Sequence, residues 1–166
     1  VVILAWNRAE LTYGCLCALH QSSVPLQVIV VDNGSTDATP ALLEAVRGAT
    51  IIRNTSNLGF VDASNQGAAA ATAEYILFLN NDADVLPDAI DALLTTIERD
   101  DRIGAVGGRL VWPSGLLQEA GSIIWKDGHC KGYGRGGHPM AGEYSFRRDV
   151  DFCSAALLLT RTALFR

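Results

Sequence analysis

Residues 75–87 read YILFLNNDADVLP, Tyr75 to Pro87, an apolar run of five residues that passes directly into amides and carboxylates. A run of this length with turn-forming residues behind it reads as a buried β-strand. In open α/β sheets the ligand crevice lies outside the carboxyl ends of the strands, so Asn80, Asn81, Asp82 and Asp84 fall where a substrate or a cation arrives. Val28 to Val31 repeats the pattern and ends in Asp32, Asn33, Gly34, Ser35, Thr36 and Asp37. Two parallel strands that bring carboxylates to one sheet edge make a shared acidic pocket, suited to a hard cation such as Mg2+ or Mn2+. Such a pocket is expected to hold a metal-bound phosphate.

Outward from these strands, apolar runs alternate with helical patterns. Val1 to Trp6 reads as the first strand, Glu10 to Gln21 as a helix and Gln27 to Val31 as the second strand. Thr36 to Arg47 reads as a helix that Ser35 or Thr36 would cap, with Pro40 near its first turn. Thr50 to Arg53 is a short third strand, Val61 to Ala71 is rich in alanine, and Tyr75 to Leu79 is the fourth strand. Pro87 to Asp100 sets Ile90, Leu93, Leu94 and Ile97 at helical spacing. Repeated β-α-β units predict a three-layer α/β/α architecture around a mainly parallel, doubly wound sheet. After Ile103 to Leu110, the segment from Gly107 to Gly142 is rich in Gly, Trp and Pro and reads as a lid or acceptor-side loop, with a short strand over Ser122 to Lys126. Core sequence resumes at Ala155 to Thr160.

At 166 residues, with 49% apolar and 19% charged residues, the chain has the material for one domain with a real core, which excludes disorder. A formal charge of -5 and the lack of a basic stripe argue against nucleic acid as a partner. The longest apolar stretches, roughly eight residues, fall short of the ~20 that span a bilayer, and no secretion signal is evident. The expected location is the cytoplasm, including peripheral attachment at the inner face of the membrane. Cys15, Cys17, Cys130 and Cys153 are scattered and read as buried free thiols. Cys15 and Cys17 would point about 200° apart on a helix of ~3.6 residues per turn, so they do not converge on one ion.

Several longer strings follow in a fixed order: VVILAWNR at Val1 to Arg8, VVDNGSTD at Val30 to Asp37, NLGFVDASNQG at Asn57 to Gly67 and LNNDADVLPD at Leu79 to Asp88. QEAGSIIWKDG, GYGRGG and RRDVDFCSAALLLTR complete the series. Over essentially its whole length the chain resembles the family-2 inverting glycosyltransferases of the nucleotide-sugar-binding GT-A fold, and within them the rhamnosyltransferase-like enzymes of polysaccharide and O-antigen synthesis. The resemblance implies metal-dependent, inverting transfer of a sugar from a UDP- or dTDP-sugar donor to a glycan or lipid-linked acceptor. It assigns donor binding to Asn7, Asp32, Asn33, Asn57, Gly59, Asn65, Asn81 and Asp82, with Asp32 reading the nucleobase. It makes Asp82 the metal ligand, with Asn80 and Asp84 as further candidates. Asn80 stands where many relatives carry an aspartate, and an amide oxygen brings no charge, so the donor diphosphate and water would supply part of the coordination. The family's general base lies downstream on a Glu-Asp motif. It is expected beyond Arg166, and the chain reads as a single domain incomplete at both ends.

Other readings compete. Asp82-Ala83-Asp84-Val85 resembles the motif of haloacid-dehalogenase phosphatases, although that class carries it near the first strand. A dehydrogenase is disfavoured because no Gly-x-Gly-x-x-Gly follows the first strand. A non-catalytic nucleotide-sugar-binding module fits the same motifs. Asp32, Asn33 and Gly34 also suit a plain turn, and Asn57, Gly59, Asn65 and Gly67 suit plain loop geometry. Asp84 and Asp88 suit the start of a helix. Trp112 and Trp125 suit packing roles, and His129, Lys131, Arg135 and His138 suit either an acceptor contact or a solvated loop.

Overall fold

A computed structural model describes residues 1–165. The chain runs β1 (Val2–Ala5), α1 (Ala9–His20), β2 (Val28–Asp32), α2 (Thr39–Ala45), β3 (Ala49–Arg53), α3 (Gly59–Ala70), β4 (Tyr75–Asn80), α4 (Ala89–Ile97) and β5 (Ala105–Gly107). It continues through β6 (Leu110–Val111), β7 (Leu117–Glu119), β8 (Ser122–Ile124) and β9 (Cys130–Gly132) before β10 (Leu157–Arg161) and α5 (Thr162–Phe165). Six strands form the main sheet in the order β3-β2-β1-β4-β10-β5. The ladders among β3, β2, β1 and β4 are parallel, and β10 alone runs antiparallel to both of its neighbours.

Strict alternation along the central strands builds the three layers. Ile3, Val30, Leu77, Leu79 and Leu159 face one side, where they pack with Cys15 and Leu19 of α1, Leu43 of α2, and Ile90, Leu93 and Ile97 of α4. Val2, Ile29, Ile76 and Phe78 face the other side and meet Ala68 of α3 and the adjacent Ala71. Because both faces are covered, these strands are apolar throughout rather than every second residue, as parallel sheets require. Burying an aliphatic or aromatic side chain contributes about 1.5–3 kcal/mol, so this double-sided packing is the main driving force for the fold. No helix among the described residues is long and apolar enough to cross a membrane.

Departures from the sequence reading are local. The predicted helix over Thr36 to Arg47 shortens to Thr39–Ala45, because the backbone N–H of Thr36 is bonded to Asn7 Oδ1 and Asp37 Oδ1 accepts from Thr39 N–H at the helix start. The helix expected from Pro87 begins two residues later, at Ala89, and ends at Ile97. The glycine-rich excursion is not one long loop. It holds two antiparallel hairpins, β6–β7 and β8–β9, and the isolated bridge Ser122↔Phe152 ties the second of them back to the chain before β10. Cys17 and Cys130 are exposed rather than buried; among the cysteines only Cys15 lies in the core.

Helix α3 reaches the sheet through Gly67, where an added Cβ would collide with Val2 Cγ1 and come within 3.2 Å of Val31 Cγ2. Both neighbours are β-branched and buried, so neither moves cheaply. An alanine here gains about 1 kcal/mol of helix propensity but overpacks a close contact, which costs about 1–3 kcal/mol. Gly67→Ala is therefore expected to lower the urea unfolding midpoint, although glycine-to-alanine changes in helices normally raise it.

Candidate functional site

The site begins at the carboxyl edge of three adjacent strands. In the parallel ladders Ala5 of β1 stands opposite Asp32 of β2, and Leu4 stands opposite Asn80 of β4. Strands lie ~4.8 Å apart, so the ends of β2 and β4 are separated by roughly 10 Å across β1.

On the β2 side, three loops are bonded into one unit. Asp32 is 3% exposed and its Oδ1 accepts from Ser35 N–H at 3.0 Å, whereas Oδ2 accepts no hydrogen bond among the described residues. Asn7 and Arg8, which follow β1 after Trp6, both adopt left-handed backbone with φ of 59° and 62°. Asparagine tolerates that region better than other side chains, yet two consecutive non-glycine residues there carry strain that tertiary bonds must offset. The bonds are present: Asn7 N–H donates to Ser35 Oγ at 2.8 Å, and Asn7 Oδ1 accepts from Thr36 N–H at 2.8 Å. Asp37 binds Thr39 N–H and, through Oδ2, Ala9 N–H at 3.2 Å. Its bonds to Thr39 first, and then those to Ala9 and Arg8, hold the Asp37 carboxyl below the usual carboxylate range.

Asn33, 1% exposed, joins the third loop. Its Nδ2 donates to Asn57 Oδ1 at 2.8 Å and to Gly59 O at 3.2 Å, while its Oδ1 accepts from Leu58 N–H at 3.0 Å and Asn54 Nδ2 at 3.1 Å. Gly34 follows with φ of 78°, and a Cβ there would lie 2.6 Å from the Ser56 carbonyl carbon, so only glycine lets the two loops touch. Asn54 Nδ2 also donates to Gln66 Oε1 at 2.8 Å, which ties α3 into the same network. Sequence reading did not select Asn54 or Gln66, and their spacing carries no motif. It selected Asn65, which lies exposed on α3 beside the buried stripe of Ala63, Ser64, Gly67 and Ala68.

On the β4 side, the Asn80 carbonyl accepts from Ala83 N–H at 3.2 Å and from the Cys15 thiol at 3.6 Å. Asn81 turns its Nδ2 to Thr12 Oγ1 at 3.0 Å, so helix α1 supports this loop from below. Asp82 and Asp84 remain exposed, and neither carboxylate has a hydrogen bond or ion pair among the described residues. Asp84 Oδ1 lies over Gly14 of α1, 3.6 Å from where a Cβ would stand. Burial pushes the Cys15 thiol up to about 12, and the negative charges of Asp84 and Asp82 push it the same way. No group of three or more His, Cys, Asp and Glu side chains among the described residues forms a closed metal cage. An open site with one or two free carboxylates suits a Mg2+-like ion that keeps waters and takes phosphate oxygens as ligands, so the residues present fit such an ion. Asp82 would hold it, with Asp84 in the same loop and Asn80 at the end of β4.

Trp6, 55% exposed, and Phe60, 48% exposed, follow β1 and Gly59 directly and leave aromatic faces in water near this edge. Phe60 ends the Asn-x-Gly-Phe segment of the sequence motif, whereas Trp6 was not singled out, although a Trp between a buried strand and a polar turn is a readable signal. Across the excursion His129, Lys131, Arg135 and His138 are exposed, and the Arg135 guanidinium lies 5.1 Å from the Trp112 ring centre. Trp125 is 55% exposed and not a packing residue. A separate cleft of about 230 Å³ is lined by Ile123, Tyr133, Arg148, Asp149, Val150 and Asp151.

Comparison with known proteins bears on this geometry. Residues 1–164 match the sequence family described as Glycosyl transferase family 2. The chain belongs to that family. It is 34% identical over 127 residues to the O-antigen biosynthesis protein RfbC of Myxococcus xanthus, covering 74% of this chain and 9% of that protein. It is 33% identical over 105 residues to the N-acetylglucosaminyl-diphospho-decaprenol L-rhamnosyltransferase of Mycobacterium tuberculosis, covering 56% of this chain and 34% of that enzyme. Among solved structures, the mannosyltransferase PcManGT of Pyrobaculum calidifontis, in complex with GDP-Man and Mn2+, superposes with a TM-score of 0.61 at 26% identity over 68% of this chain and 35% of its own. The chain thus spans about a third or less of these relatives. The family-2 glycosyltransferase domain has the GT-A-type fold expected from its motifs, and the phosphatase and dehydrogenase readings fall away.

The contrast among thiols is directly measurable. In the native protein at mildly alkaline pH, a maleimide reagent is expected to modify the exposed Cys17 and Cys130 rapidly and to reach Cys15 only after denaturation, as peptide mass mapping would read out.

Proposed function

We propose that this domain binds a nucleotide-diphosphate sugar across the β2–β1–β4 edge and delivers its sugar, with inversion, to a glycan or lipid-linked acceptor in cell-surface polysaccharide synthesis. The observation that carries the reading is the pairing of two unsatisfied acidic positions on either side of β1: the free oxygen of Asp32 and the exposed carboxylate of Asp82. A carboxylate oxygen left free at a strand end accepts a hydrogen bond from a ring N–H, which uracil, thymine and guanine carry and cytosine lacks; this disfavours CDP-sugars and accommodates the UDP- or dTDP-sugars that the motifs imply. Trp6 offers an apolar face for the same base. Asn7 does not meet the donor through its Oδ1, which is already bonded to the backbone of Thr36; it holds the rim in shape.

Asp82, with Asn80 and Asp84 beside it, would bind Mg2+ or Mn2+ at the diphosphate. The ion's contribution is Lewis-acid stabilisation of charge on the departing nucleoside diphosphate. In the transfer, the acceptor hydroxyl oxygen bonds to the anomeric carbon as the bond to the diphosphate oxygen breaks on the opposite face, and a carboxylate base takes the hydroxyl proton. The Mn2+ and GDP-Man held by the mannosyltransferase, and the O-antigen and decaprenol-linked activities in the names of the two relatives, support the donor, metal and acceptor classes.

Calorimetry tests the reading. UDP or dTDP is expected to bind the native domain roughly tenfold or more tightly with Mn2+ than without it, and Asp82→Ala is expected to abolish that enhancement while leaving metal-free binding in place. Equal affinity for the Mn2+ complex in native protein and variant would refute the assignment of Asp82.

A further inference from the structure

Asn33 sits inside the nucleotide motif and next to Asp32, yet its geometry rules out a direct role in the donor site. At 1% exposure it has no surface to offer, and its amide already makes two donor and two acceptor contacts, all within the protein. All four reach one segment, residues 54–59, in which Asn57 Oδ1 also accepts from Gly59 N–H at 2.8 Å. Gly34 closes the same seam by bare backbone contact with Ser56 and Asn57. Phe60, the exposed aromatic at the start of α3, is carried by this segment.

We propose that Asn33 is a positioning residue: it latches the 54–59 segment onto the end of β2 and thereby sets where Gly59 and Phe60 stand relative to the base-reading oxygen of Asp32, without touching the donor itself. The inference rests on the donor reading above. The latch is specific to an amide. Alanine at 33 leaves Leu58 N–H without its acceptor and takes one of two acceptors from Asn54 Nδ2, and aspartate keeps those two contacts while facing two acceptor oxygens, Asn57 Oδ1 and Gly59 O, with no proton to give.

The test pairs Asn33→Ala with Asn33→Asp, the second variant serving if the first does not fold, and uses UDP and CDP with Mn2+ as probes. Calorimetric stoichiometry separates the fraction of folded protein from the affinity of each molecule. Loss of a buried, multiply bonded contact is expected to weaken UDP binding roughly tenfold at unchanged stoichiometry and to narrow the preference for UDP over CDP. In Asn33→Ala, hydrogen exchange should show the Leu58 amide losing protection while amides of β4 keep theirs. A merely structural Asn33 would lower the stoichiometry or the unfolding midpoint and leave the UDP affinity and the UDP-to-CDP ratio of the remaining folded molecules within about twofold of the native values; that outcome overturns the inference alone. Unchanged protection of Leu58 in Asn33→Ala overturns it as well. Failure of the native domain to bind either nucleotide overturns the donor reading and this role together.

Discussion

The parallel ladder that joins β2, β1 and β4 decides where the two acidic loops of this domain stand. Parallel strands separated by one neighbour must end at the same edge, and the register that sets Ala5 opposite Asp32 and Leu4 opposite Asn80 brings their trailing loops level with each other. The ladder is held by alternating side chains that bury both faces, so a slip of one residue would turn Ile3, Val30 and Leu77 toward the wrong layer. Core packing and site geometry are therefore one constraint: what locks the hydrophobic layers also fixes the spacing of two acidic loops.

Around that edge the polar side chains divide into those spent on the protein and those left over. Asn7, Asn33, Asp37 and Asn81 are spent: each binds backbone or side chain of another loop or helix, and together they tie the rim into one hydrogen-bonded unit. Asp32 is half spent, with one oxygen on Ser35 and one free. Asp82 and Asp84 are left over, exposed and without partners among the described residues. Unsatisfied charge next to a preorganised rim is the arrangement expected of a binding site, because the ligand then meets groups that need no rearrangement. The strained turn at Asn7 and Arg8 belongs to the same economy, since its left-handed backbone aims the Asn7 amide at the β2 loop.

Much of this was legible in the chain. The strands from Val28 and Tyr75 announced themselves because a doubly covered parallel strand must be apolar at every position, and Asp32 and Asp82 could be placed at their ends by counting. The direction of a side chain just past a strand was not legible: Asn33 and Asn81 sit in the motif beside the acids but turn inward, Asn33 to the 54–59 segment and Asn81 to Thr12, and only tertiary neighbours determine that. The same cause shortened α2, whose expected caps Ser35 and Thr36 are bonded to Asn7 instead. The hairpins of the excursion, with strands of two or three residues, are too short for any period to show, and Cys17 and Cys130 are exposed because an apolar neighbourhood in sequence does not fix which face of an element looks outward.

The central claim is that the two acidic loops serve one ligand from either side of β1, and paramagnetic broadening by Mn2+ in the presence of UDP addresses it most directly. Backbone amide resonances of Asn80 to Asp84 and of Asp32 to Ser35 should broaden in the same titration, the first group more strongly, while those of Tyr75 and Thr162 at the opposite end of the sheet stay sharp. Broadening confined to the cleft around Tyr133 and Arg148, or to the end of the sheet that holds Tyr75, would contradict the account.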